Sequence, residues 1–143
     1  MVDVGEKPAT QRRAVSRADL TMNAEAWDKL RSHTVAKGDV IGTARIAGIM
    51  AAKRTWELIP MCHPVALSKL TVDFDFDDAT RTVGVIGVAE ANDRTGVEME
   101  SLTAVTIAAL TVYDMMKAID RGIVIGQVRL VEKSGGRSSN FSR

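Results

Sequence analysis

Asp114 and Lys117 are three residues apart and carry the only charges between Ser101 and Ile119, a stretch otherwise made of apolar and small side chains. On a helix that spacing places them side by side on one face. Such a pair has two readings. It can be an ion pair that fixes packing, or it can move protons, with the carboxylate raising and burial lowering the ammonium's affinity for its proton. Spacings of three and four extend the pair into a mainly polar stripe through Glu100, Thr103, Thr106 and Leu110, which favours chemistry. Glu100 and Asp114 nevertheless stand about 21 Å apart along such a helix, too far to touch one small reacting centre. If both act, either the ligand is extended or the site is composite. The composite site is the favoured reading, with Glu100 of one subunit meeting Asp114 and Lys117 of another.

A second group is cationic: Arg12, Lys37, Arg45, Lys53, Arg54, Lys133 and Arg137. Scattered Lys and Arg are ordinarily solvated surface. Lys37-Gly38, at a helix entrance, and Lys133-Ser134-Gly135-Gly136-Arg137 differ, because glycine beside a cation lets backbone N–H groups and charge converge on a phosphate. Neither has the longer P-loop spacing, so nucleotide hydrolysis of that type is unsupported. His63, between Cys62 and Pro64, suggests zinc or a thiol nucleophile, but no CxxC or HExxH partner exists. A structural histidine and a ligand-binding or acid–base histidine both remain open. His33 reads as surface.

These residues need elements to position them. Arg12–Met22 reads as a strand, and Asn23 caps a short helix that ends near His33. Asp39 caps a second helix with Val40, Ile41, Ala44, Ala47, Met50 and Ala51 on one side, in which Gly42 and Gly48 imply close backbone approach. Thr55–Pro64, with two prolines, becomes a rigid connection. Ser68–Asp77 alternates Leu70, Val72, Phe74 and Phe76 with Lys69, Thr71, Asp73 and Asp75, giving a strand with one wet face. Val83–Glu90 completes a hairpin. A long helix follows from Val97 to Arg121, stopped by Gly122. Ile123–Lys133 is the last strand, and Ser134–Arg143 is a tail expected to be mobile unless a ligand orders it. The opening Met1–Pro8 reads as an exposed arm. This order predicts an α+β chain, a ferredoxin-like split βαβ with an additional helix and an antiparallel sheet covered by helices. The long helix is so apolar all round that a second subunit is expected to cover part of it.

At 143 residues the chain should form one domain, 1–143. With 19 Lys and Arg against 18 Asp and Glu it lacks the bulk positive field of a nonspecific nucleic-acid binder, so phosphate recognition must be local. The lone Cys62 and the lack of a leader-like segment lead us to expect a reducing, cytoplasmic setting, and no apolar run is long enough for a membrane span. An RNA-binding module is disfavoured because Phe74 and Phe76 alternate with Asp73, Asp75 and Asp77, not with basic residues. A non-catalytic nucleotide-binding oligomer is a further alternative.

Several motifs in order resemble one family. Lys37-Gly38-Asp39-Val40, Thr43–Ile49, Ala51–Thr55, Leu58–Pro64, Thr95–Glu100, Tyr113-Asp114-Met115, Val128-Arg129-Leu130 and Lys133–Gly136 are similar to the cyclic pyranopterin monophosphate synthases of molybdenum cofactor biosynthesis, the MoaC type. The resemblance runs from Met1 nearly to the end. It implies a lyase with a ferredoxin-like subunit, a homohexamer arranged as a trimer of dimers, and sites at dimer interfaces. The implied substrate is 3',8-cyclo-7,8-dihydroguanosine triphosphate, converted to cyclic pyranopterin monophosphate with release of pyrophosphate. Carried over, Asp114 and Lys117 are the acid–base pair with Lys37 assisting, Met61, Cys62, His63, Met99 and Glu100 bind substrate, and Arg12 and Lys133 hold phosphates. No cofactor is required, although magnesium could accompany the triphosphate. The chain departs from the family's common pattern at Asn92-Asp93-Arg94, Met116 and Arg137-Ser138-Ser139. Arg94 and Arg137 keep a charge where Lys is usual but change its geometry.

Overall fold

Strict alternation along β1 (Thr10–Thr21) sets the frame: Arg12, Ala14, Ser16, Ala18 and Leu20 point inward and are buried, while the residues between them are not. A strand buried on one face along its whole length has that face covered by another layer of the fold. In the computed structural model, which describes residues 1–137 and 139–143, β1 has a neighbour on each side. β3 (Thr82–Asp93) pairs with it antiparallel from Thr10↔Asp93 to Thr21↔Thr82, and β4 (Val124–Ser134) pairs antiparallel on the other edge with two register shifts. β2 (Leu67–Asp77) lies outside β3, and β5 (Phe141–Ser142) outside β4, giving the order β2-β3-β1-β4-β5. β1 and β2 therefore run the same way with β3 between them, the split βαβ arrangement that the element order predicts.

Among the described residues four helices accompany the sheet, and two of them form a layer on the inward face. α2 (Val40–Ala52) crosses α4 (Glu98–Met116) at Gly48, where an added Cβ would stand 2.7 Å from the Ala104 carbonyl oxygen and 3.1 Å from the Ala108 Cβ. The expected close approach is realised there. Gly42 serves a different end: its missing side chain leaves room for the Asp39 carboxylate, which accepts from the Gly42 N–H at 2.9 Å and caps α2. Asn23 caps α1 (Ala24–Arg31) in the same way through the Ala26 N–H. The core between helices and sheet includes Leu20, Val72, Val83, Val85, Val105, Val112 and Met116, each wholly buried. Each such side chain contributes roughly 1.5–3 kcal/mol relative to an exposed position. The helices cover this face only. On the opposite face Arg17 bridges Asp19 and Asp75, and Arg129 also meets Asp19. That is the wet face expected of Lys69, Thr71, Asp73 and Asp75.

Three boundaries differ from those the sequence predicts. α4 ends at Met116, not Arg121, because the Asp120 carboxylate accepts from both the Gly122 and Asn23 N–H groups at 2.8 Å and turns the chain before Gly122 is reached. Lys117 is therefore the C-cap, where a cation suits the helix dipole. Within the connection expected over Thr55–Pro64, Thr55–Leu58 makes a short helix, α3. The tail folds back so that Lys133 pairs with Phe141 and Glu132 with Ser142. Of the departures from the family pattern, Ser138 lies outside the described residues. Among the described residues no helix is long and apolar enough to cross a membrane.

Candidate functional site

The two ends of α4 carry two different chemistries. At its N-terminal end lies a cleft of ≈ 480 Å³ whose walls include Thr10, Arg12, His63, Arg94, Thr95 and Lys133. Arg137 and the arm residues Val2, Val4 and Lys7 complete the walls, so the arm that reads as free chain is one side of the cleft. Beside it is a second cleft of ≈ 390 Å³ that Met61, Cys62, His63, Met99 and Glu100 line. Met61, His63, Thr95 and Gly96 belong to both. The connection with two prolines brings Met61–His63 to α4's first turn, which is why residues far apart in sequence share a wall.

Arg12 is only 8% exposed, which its position on the inward face of β1 explains. Its Nε donates to the Asp93 carbonyl at 3.0 Å and Nη2 to the Arg94 carbonyl at 3.1 Å, so the guanidinium is held rigid. Gly136 wraps over it at φ +84°, where any Cβ would strike Nη1. The glycine tail thus packs against a cation. Lys133 points to the same end of α4 and pairs with Glu98 at 2.8 Å. An incoming anion would have to compete for it.

At the far end of α4 the Asp114 carboxylate lies between two ammonium groups. Lys117 Nζ is 2.7 Å from Oδ1, while Lys37 Nζ donates to Oδ2 at 2.9 Å and to the Asp114 carbonyl at 2.8 Å. Lys37 arrives on the loop between α1 and α2, whose turn uses Gly38 at φ +97°. All three side chains are about half exposed. Hydrogen bonds from Lys117 and then Lys37 hold the Asp114 carboxyl down at about 2. Asp114 in turn raises Lys117. The opposing pull from burial, expected from an apolar helix, is the lesser effect on this open end. The resting chain therefore keeps Lys117 charged as an acid.

Within one chain these groups do not meet. Arg12, Met61, Cys62, His63, Met99, Glu100 and Lys133 gather at one end of α4, with Lys37, Asp114 and Lys117 at the other. Arg45 joins neither, because its Nε donates to the Val72 carbonyl and its guanidinium lies over Phe74. Lys53 and Arg54 are exposed at the α2–α3 junction. Thr10, Lys7 and the Glu98 partner of Lys133 are not legible in the sequence as site residues, since nothing in their spacing ties them to the cleft.

The MoaC family model matches residues 1–136. The chain belongs to the MoaC family. Curated relatives named cyclic pyranopterin monophosphate synthase include one from Roseiflexus sp. (strain RS-1), 55% identical over 99% of this chain and 89% of its own length. Others come from Thermomicrobium roseum, 52% identical over the whole chain and 86% of the relative, and from Brevibacillus brevis, 49% identical over the whole chain and 89% of the relative.

In this MoaC-family chain Glu100 is the most deeply placed carboxyl of the clefts, only 4% exposed. Burial pushes its pKa up from the ordinary 4.5, and Glu98 and Asp93 add repulsion. Burial also raises the Cys62 thiol, with Glu100 contributing, which argues against a thiolate nucleophile. A raised folded pKa on an acid means that the neutral form is the one the fold favours. Its contribution is full below the unfolded value near 4.5 and is lost as pH rises through the folded value. Glu100→Gln should therefore melt above wild type at pH 8, with the difference shrinking toward pH 4. Thermal melts across that range check it, and a constant difference would contradict the assignment.

Proposed function

We propose that this chain is a cyclic pyranopterin monophosphate synthase. It would convert 3',8-cyclo-7,8-dihydroguanosine triphosphate to cyclic pyranopterin monophosphate and pyrophosphate, using Asp114, Lys117 and Lys37 in a site completed by a second subunit. Membership of the MoaC family, with relatives of that name about half identical over the whole chain, supports the enzyme class and the molybdenum cofactor role. The observation that carries the mechanism is the division of labour along α4. Its two ends hold an acid–base trio and a cation-rich cleft that no single chain brings together.

The proposed chemistry uses both halves. Opening and rebuilding the purine-derived rings moves protons, which the Lys117 ammonium can donate and the Asp114 carboxylate can receive. Closing the cyclic phosphate makes one P–O bond to the α-phosphorus and breaks another, so the β- and γ-phosphates leave as pyrophosphate. Arg12, Arg94, Lys133 and Arg137 at the cleft would stabilise the charge that develops on that leaving group. The apolar wall of Val2, Val4 and Met61 suits the ring system instead. Magnesium, where it takes part, would be held by the triphosphate's own oxygens; among the described residues no three His, Cys, Asp or Glu converge.

Leu110, 48% exposed on α4, and Ile46 and Met50 on α2 are apolar surface that a neighbouring subunit would cover, in keeping with a hexamer arranged as a trimer of dimers. The test is direct. The purified chain given the cyclic nucleotide should release one pyrophosphate per pterin formed, read by phosphorus NMR and chromatography. Binding without release would replace the enzyme with a nucleotide-binding oligomer.

A further inference from the structure

Thr10 Oγ1 and Thr95 Oγ1 are sealed from solvent and have no hydrogen-bond partner. Both residues nevertheless line the cationic cleft, and neither side chain is buried as a whole. They flank Asp93, which is the register partner of Thr10 and whose Oδ1 already accepts the Arg94 N–H at 2.6 Å and the Thr95 N–H at 3.3 Å. A buried hydroxyl without a partner disfavours the conformation that holds it. Rotation about χ1 exchanges a threonine's hydroxyl with its methyl and turns the O–H toward the cleft. Among the described residues, none that line the cleft is an aspartate or glutamate. Arg12 already donates to two carbonyls and Lys133 to Glu98, so its walls are rich in donors and cations.

We infer that the hydroxyls of Thr10 and Thr95 are a pair of neutral donors to phosphoryl oxygens of a polyphosphate bound in this cleft. They swing from their orphaned positions when the anion arrives. The inference rests on the proposed function only in taking the cleft as the polyphosphate subsite. Its chemistry is general: a hydroxyl donates one hydrogen bond and adds no charge, so it can fix an anion's orientation where cations alone would attract it loosely.

The experiment measures inorganic tripolyphosphate binding to the 143-residue chain by calorimetry, with melting temperatures taken in parallel. Thr10→Val and Thr95→Val should each weaken binding about tenfold or more, the loss expected of a hydrogen bond to a charged group. Melting temperature should hold or rise, because the free chain loses only an unpaired hydroxyl. Thr→Ser at each position should keep the affinity. With the cyclic nucleotide, KM should rise while kcat is largely retained, the mark of binding made equally in ground and transition states. Unchanged affinity in both Val variants overturns the inference while leaving the cleft as a phosphate site. A lowered melting temperature without rescue by Ser assigns the threonines to structure instead. Failure of the wild-type chain to bind tripolyphosphate removes the cleft's phosphate role and this inference with it.

Discussion

Asp114→Asn should lower kcat by roughly 10²- to 10⁴-fold, the range that a positioned acid–base group supplies. The substitution keeps the side chain's shape and removes its charge. Because Asp114 and its two ammonium partners are about half exposed, folding should be nearly unaffected, which separates this loss from a structural one. The change also has a pH signature. Asp114 is what raises Lys117, so its neutralisation releases that ammonium to titrate lower, and the alkaline limb of any residual activity should move to lower pH. Lys117→Ala should cost a similar factor, and the double variant little more than either single, since the two act as a unit. Lys37→Ala removes one of the two cations that hold Asp114 near 2, so the carboxyl should titrate higher. Near-normal turnover in Asp114→Asn, with the fold confirmed by circular dichroism, would end the acid–base assignment.

Alternation and capping make most of the fold legible in the amino-acid sequence. The wet and dry faces of β2 and the caps at Asn23 and Asp39 are local statements that the residue pattern makes directly, and the order of elements carries the β1–β3–β2 arrangement. What escapes depends on contacts between distant residues. The early end of α4 follows from the Asp120 carboxylate serving two N–H groups, one of them on Asn23 nearly a hundred residues earlier. Glycine is the stop that composition suggests, but a side-chain acceptor is the actual one. The same limit applies to the site. Asp114 and Lys117 are visible because helical periodicity makes neighbours of residues three apart, whereas Lys37 joins them only through family resemblance. The arm at Val2 and Val4 and the strand-end residue Thr10 come to line the cleft through tertiary packing, which no local spacing encodes.

Mixing two inactive chains should restore activity, and the amount follows from counting sites. Let one chain carry Glu100→Ala and the other Lys117→Ala, and let each site take Glu100 from one subunit and Lys117 from the other. In a mixed dimer one site then receives both lesions and the other receives neither. Random pairing of equal amounts makes half the dimers mixed, so recovery should approach about a quarter of wild-type activity through two-fold symmetric interfaces. Were each site built within one chain, every site in every mixture would keep one lesion and recovery would be nil. The geometry along α4 makes the second case hard to sustain, because Glu100 sits in its first turn and Asp114 in its last. Co-expression with two different affinity tags isolates the mixed oligomer and proves that exchange occurred. A mixed oligomer as inactive as its parents would leave the ends of α4 serving separate purposes, and the acid–base trio would need its substrate contacts from elsewhere on its own chain.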